Sequence, residues 1–158
     1  MSILETRTLW WPNEAACAAS ARAVAQRPGL LNAFIELHGP LGAGKTTFAR
    51  HLLRALGVSG HVKSPTYAVL EPYELAGANG PINLWHFDFY RFDDPQEWED
   101  AGFRDVFASR GLKLAEWPEK AEGLLPQADL RISIAPDAAE RRSVRIDALT
   151  ARGVGLLP

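Results

Sequence analysis

The run Gly39-Pro40-Leu41-Gly42-Ala43-Gly44-Lys45-Thr46 sets glycines, a lysine and a hydroxyl in the spacing G-x-x-x-x-G-K-[ST]. Small residues there let backbone N–H groups turn inward around a phosphate, and a helix starting near Lys45 points its positive end at the same anion. Lys45 is then placed to reach the β- and γ-phosphates, and the Thr46 hydroxyl to complete a Mg²⁺ shell. This is the chemistry of nucleoside triphosphate binding, with phosphoryl transfer as the reaction class.

Such a loop needs a carboxylate to hold the metal or its water, usually at the end of an apolar strand. Two candidates meet that description. Leu84-Trp85-His86-Phe87 leads into Asp88, and Leu112-Lys113-Leu114-Ala115 leads into Glu116. Spacing does not choose between them. Between them and the phosphate loop lies Val62-Lys63-Ser64-Pro65-Thr66-Tyr67, where Ser64 and Thr66 stand in the position of a γ-phosphate-sensing loop or of a solvated connector. Arg91 is a candidate arginine finger or a partner for Asp93 or Asp94. Trp117 reads as a strand-end aromatic covering the core, and His86 as a packed, hydrogen-bonded imidazole. Arg131, Arg141, Arg142, Arg145 and Arg152 read as charges on an exposed hairpin and tail.

The elements that must position these groups follow from periodicity and breakers. Asn13 is an N-cap for an alanine-rich helix that stops at Pro28-Gly29. Ala33 to His38 is a buried strand feeding the phosphate loop, and Lys45 to Leu56 a helix with Phe48, Leu52, Leu53 and Leu56 at the 3.6 period and Gly57 as its stop. Tyr67 to Leu75 and Ile82 to Phe92 are expected as an antiparallel hairpin. Pro95 to Phe107 is expected as a helix capped by Asp94. Leu112 to Trp117 is a further strand, and Leu130 to Ala135 with Ser143 to Leu149 a second hairpin. This order gives an α/β fold with a mixed sheet.

Composition narrows the class. The chain has 158 residues, 47% hydrophobic and 23% charged, as in an ordinary globular domain rather than a disordered chain. A net charge of −2 argues against a protein whose main work is coating nucleic acid or an anionic membrane. The single cysteine, Cys17, offers no internal disulfide, and no Cys/His cluster has zinc-site spacing. With no apolar leader-like or membrane-length run, the chain reads as soluble and cytoplasmic.

Taken together, Gly39 to Thr46, Ser64-Pro65-Thr66-Tyr67, His86-Phe87-Asp88-Phe89-Tyr90-Arg91 and Glu116-Trp117-Pro118 resemble, in order and spacing, the TsaE (YjeE) family. These are bacterial P-loop ATPases of tRNA threonylcarbamoyladenosine synthesis. The resemblance runs from about Pro12 into the 140s. It implies one P-loop NTPase-like, three-layer α/β domain over residues 1–158. It implies ATP on Leu41, Gly42, Ala43, Gly44, Lys45, Thr46 and Thr47, with Thr46 and Glu116 as Mg²⁺ ligands. Asp88 then becomes the group that orients or deprotonates the attacking water, and Ser64, Thr66 and Tyr67 the switch. The adenine side is implied near Glu14 and near Arg141, and Trp117 takes a functional shade from the same resemblance. The implied partners are TsaD and TsaB, with tRNA reached only through their complex.

The expected function is therefore a slow, partner-coupled Mg²⁺-dependent ATPase supporting that modification at tRNA position 37. One alternative is a small-molecule kinase of the P-loop class, which needs an acceptor pocket and an arginine-bearing lid. The other is an interaction module in which nucleotide acts as a switching ligand. No guanine-specifying N-K-x-D run is present, which favours ATP over GTP.

Overall fold

The computed structural model describes residues 2–60, 62, 69–138 and 141–158. In chain order its elements are β1 (Glu5–Trp11), α1 (Glu14–Ala25), β2 (Phe34–His38), α2 (Lys45–Leu56), β3 (Leu70–Gly77), β4 (Gly80–Asp88), α3 (Pro95–Asp100), α4 (Phe103–Ala108), β5 (Leu112–Glu116), β6 (Leu130–Pro136), β7 (Arg142–Ala148) and α5 (Ala151–Leu156). The strands form one seven-stranded sheet ordered β1-β7-β6-β2-β5-β4-β3. β2 pairs in parallel with β5 and β6, and β4 pairs in parallel with β5. The β3/β4, β6/β7 and β1/β7 pairs are antiparallel, so the sheet is mixed and carries both expected hairpins.

Strand alternation sorts the core into two faces. Ile35 and Leu37 of β2, Leu112 and Leu114 of β5, and Ile132 and Ile134 of β6 face α1 and α2. There they meet Ala21, Val24, Phe48, Leu52 and Leu53, all buried. Phe34, Phe87 and Ala115 face the other way, against Phe89, Phe92, Trp98 and Phe103 of the β4–α4 region. Two helical layers on either side of a sheet make a P-loop NTPase-like, three-layer α/β fold. The second face is an aromatic cluster, with Phe87 edge-on to Phe103 at 5.3 Å and stacked on Phe107 at 4.8 Å. Geometries of this kind add about 0.5–1.5 kcal/mol per pair beyond area burial.

The local signals act as their chemistry requires. Asn13 Oδ1 accepts from Ala16 N at 3.0 Å and starts α1. Gly57 closes α2 in the left-handed region at φ 111, with Val58 N bonded back to Leu53 O at 3.0 Å.

Other expectations are corrected. The helix expected over Pro95 to Phe107 is two short helices, because Gly102 adopts φ 71 and breaks the i→i−4 ladder. The first hairpin is tighter than its composition suggests. Gly77 pairs with Gly80 across Ala78-Asn79, and β4 ends at Asp88 rather than Phe92. Beyond Asp88 the chain turns, with Phe92 N bonded to Phe89 O at 3.0 Å. β1 and α5 have no counterpart in the sequence reading.

Candidate functional site

The phosphate loop joins the C-terminal end of β2 to the N-terminus of α2. Gly39 approaches β6 so closely that a Cβ there would lie 2.6 Å from Ile134 O, and its φ of +151 suits only glycine. Gly44 caps α2 at φ 112, a left-handed conformation that favours glycine, and Ala43 N is bonded to Pro40 O at 3.0 Å. Lys45 follows at N1, only 4% exposed. Its Nζ donates to Gly39 O and sits 3.5 Å above the centroid of the Trp117 ring. Burial holds its ammonium below the ordinary lysine range, opposed by the carboxylates of Glu116, Glu119 and Asp88.

Glu116 ends β5, the strand beside β2, and Asp88 ends β4, one strand further out. The two are opposite each other in the parallel register. Thr46 Oγ1 lies 2.9 Å from each Glu116 carboxylate oxygen. His86, on the same face of β4 as Asp88, places Nε2 2.7 Å from Glu116 Oε2. Asp88 Oδ1 accepts from Tyr90 N at 3.0 Å. Between the Asp88 and Glu116 candidates, the structure brings Glu116 onto the phosphate-loop hydroxyl. A buried carboxylate joined to a threonine hydroxyl is a hard-oxygen donor set that fits Mg²⁺. Among the described residues no group of three or more His, Cys, Asp or Glu forms a metal cage.

Trp117 has φ 55, the only non-glycine residue in the left-handed region among those described. This conformation turns its ring back over Lys45 and 5.0 Å from Tyr90, while its edge still packs on the second core. Arg91 is exposed in the turn after β4. Ser64, Thr66 and Tyr67 lie outside the described residues. The carbonyl of Val69 accepts from Asp88 N at 2.8 Å.

On the other side of the loop a cleft of about 190 Å³ opens between α1, α2 and β7, lined by Trp11, Glu14, Cys17, Gly44, Thr47 and Arg142. Glu14 lines it and also contacts His51 Nε2 at 3.0 Å. Arg141 does not belong to it. Its guanidinium lies over the Trp10 ring at 5.8 Å, while Arg142 Nε donates to Ala43 O at 2.8 Å. The reason is alternation: Arg142, Val144 and Ile146 share the face that looks at the loop, so the preceding residue points away. Trp11 and Cys17 were not singled out as site residues. The cue for Cys17 is helical spacing, one turn beyond Glu14.

Comparison with known proteins gives one consistent result. The family model described as "Threonylcarbamoyl adenosine biosynthesis protein TsaE" matches residues 11–144. The chain is similar to a Haemophilus influenzae protein named tRNA threonylcarbamoyladenosine biosynthesis protein TsaE. That match is 47% identical over 100 residues and covers 63% of this chain and 61% of the relative. A Bacillus subtilis protein of the same name is 35% identical over 138 residues, covering 87% of this chain and 82% of the relative. The crystal structure of Bacillus subtilis YdiB superposes with a TM-score of 0.75 at 26% identity, covering 99% of this chain and 94% of that one.

Proposed function

Because the chain belongs to the TsaE family of threonylcarbamoyl adenosine biosynthesis proteins, we propose that it is a Mg²⁺-dependent ATPase. In this reading its hydrolysis supports the N6-threonylcarbamoyladenosine modification of tRNA at position 37. The observation that carries the reading is the contact of the Thr46 hydroxyl with both oxygens of Glu116, directly beneath the phosphate loop.

The roles follow from position. Backbone N–H groups of Leu41 to Thr47 cradle the β-phosphate, and Lys45, charged and buried, neutralises the transferring phosphoryl group. Thr46 and Glu116 hold Mg²⁺, which when bound offsets charge on the phosphate oxygens. Asp88, beside Glu116 in register and exposed enough to meet water, orients the attacking water or takes its proton. Ser64, Thr66 and Tyr67 serve as the segment that responds to the γ-phosphate, and Arg91 as a neutralising charge. Glu14 and Arg142 hold the nucleoside side in the cleft.

The segment Pro118 to Asp129, which has no arginine, is tied down by Ala121 and Ala128 in the second core. That weighs against a small-molecule kinase. In this reading ATP turnover is coupled to other proteins, TsaD and TsaB, and tRNA is met through their complex. The cytoplasm is where this chemistry takes place. Among the described residues no helix is long and apolar enough to cross a membrane.

A phosphate-release assay with ATP and no acceptor tests the reading. Mg²⁺-dependent release is expected, and it is lost in Asp88→Asn with nucleotide binding retained. Transfer of the γ-phosphate to an added small-molecule acceptor, giving ADP and a phosphorylated acceptor with no free phosphate, would assign the chain to the kinases.

A further inference from the structure

His86 occupies a position that strand alternation reserves for an apolar side chain. It follows Leu84 on the face of β4 that looks at α2, and its register neighbour on β5 is Leu114, both fully buried. The ring itself is 0% exposed. Burying an imidazole there is costly unless both nitrogens are satisfied, yet only Nε2 has a partner. Nδ1 has none among the described residues. A leucine or phenylalanine would fill the space without that cost, so the ring is accounted for by what Nε2 does.

What it does is break a symmetry. The Thr46 hydroxyl has one proton and stands equally far, 2.9 Å, from both oxygens of Glu116, so it does not select an orientation of the carboxylate. His86 Nε2 is within bonding distance of Oε2, at 2.7 Å. A carboxylate only accepts, which places the imidazole proton on Nε2. Nδ1 has no partner among the described residues, so the contact that orients the ring is the one at Nε2.

We propose that His86 is a positioning residue for Glu116: its Nε2–H holds Oε2 and fixes the plane of the carboxylate, leaving Oε1 and the Thr46 hydroxyl as the oxygens offered to a divalent cation. The contact comes from β4 and not from the phosphate loop, so it persists when Thr46 turns its hydroxyl lone pairs elsewhere. The role rests on the metal reading proposed above.

Two measurements test it. In ¹⁵N-histidine-labelled full-length protein without nucleotide, the His86 ring is expected as the Nε2–H tautomer, shown by its long-range ¹H–¹⁵N couplings. The Nδ1–H tautomer, or an average of the two, overturns the proposal and needs no variant that folds. The second measurement is the Mg²⁺ dependence of nucleotide binding in His86→Phe and His86→Gln. The concentration of Mg²⁺ giving half-maximal binding is expected to rise about 10- to 100-fold in His86→Phe, the usual effect of losing a partner behind a metal ligand. His86→Gln, whose amide N–H reaches the same oxygen, is expected to restore most of it. Nucleotide affinity without Mg²⁺ is expected to stay unchanged in both. A wild type that needs Mg²⁺ and a folded His86→Phe with the same requirement overturn this inference alone. A wild type indifferent to Mg²⁺ overturns the metal reading and the role with it.

Discussion

Lys45, Glu116 and Asp88 sit within one site but are held by different means, and their substitutions separate. Lys45 is anchored at Gly39 O and over Trp117. Replacing it by alanine removes a charged partner of the phosphates, and nucleotide affinity is expected to fall by about 1.5–3 kcal/mol, read by titration calorimetry. In Asp88→Asn, turnover is expected to drop about 10²- to 10⁴-fold, the usual range for a lost acid–base group, while binding persists. Glu116→Gln is the complementary case, with Mg²⁺-dependent binding weakened and Mg²⁺-free binding retained. Cys17 offers a titration. Its thiol is pushed up to about 12, mainly by burial and further by Glu14. The thiolate is the reactive species, so alkylation by iodoacetamide at pH 8 is expected to be on the order of 10³-fold slower in the folded protein than in the unfolded chain. The folded thiol keeps a proton that the unfolded chain loses above pH 9.0, so this group lowers stability as pH rises from 9.0 toward 12.

α5 shows how far an element's seat depends on one hydrogen atom. A Cβ at Gly153 would lie 2.0 Å from Asp129 O, whereas one at Gly155, two residues along the same helix, meets nothing within 4 Å. Gly153→Ala is expected to lift α5 off β7 and lower the melting temperature. Gly155→Ala is expected to raise stability by about 0.5–1 kcal/mol through helix propensity alone, so the two melting curves should shift in opposite directions. The same contrast explains what the sequence disclosed. α2 and its loop were legible because every signal is local: the glycine spacing, Lys45 and Thr46 at the helix start, Phe48 and Leu52 at the period, Gly57 at the end. The break at Gly102 was not, because a glycine inside a helical run is compatible with continuation. Nor could spacing decide between Asp88 and Glu116. Which of them meets Thr46 depends on β5 rather than β4 lying beside β2, a fact of strand order and not of distance along the chain. Which of Arg141 and Arg142 faces the phosphate loop is set by the phase of β7, since a shift of one residue reverses a strand's faces.

At the scale of the whole molecule the sheet ends on two exposed edges, β3 and β1. β1 covers β7, matching Glu5 through Trp11 against Ala148 through Arg142. It also supplies the Thr6 hydroxyl that donates to buried Asp147 at 2.8 Å. Deleting residues 2–11 is therefore expected to leave β7 as a bare edge and Asp147 short of a donor. The truncated protein is expected to melt lower and to scatter light at concentrations where the full chain is clear. Trp11 adds to this loss, since it stacks on Phe48 of α2 at 5.7 Å and closes the cleft.

The pairing of β1 with β7 also sets a schedule. Trp11 is synthesised first and its partner Arg142 near the end, so on a ribosome adding about 5–20 residues per second β1 is outside the tunnel roughly ten seconds before the strand it needs exists. During that interval it must stay in water without pairing to itself, to β3 or to a neighbouring nascent chain. Glu5, Thr6, Arg7 and Thr8 meet that demand: a strand carrying charges and hydroxyls on both faces gains little from a wrong partner. The polar run Glu5 to Thr8, which gives β1 no alternating strand signal, is what lets it wait.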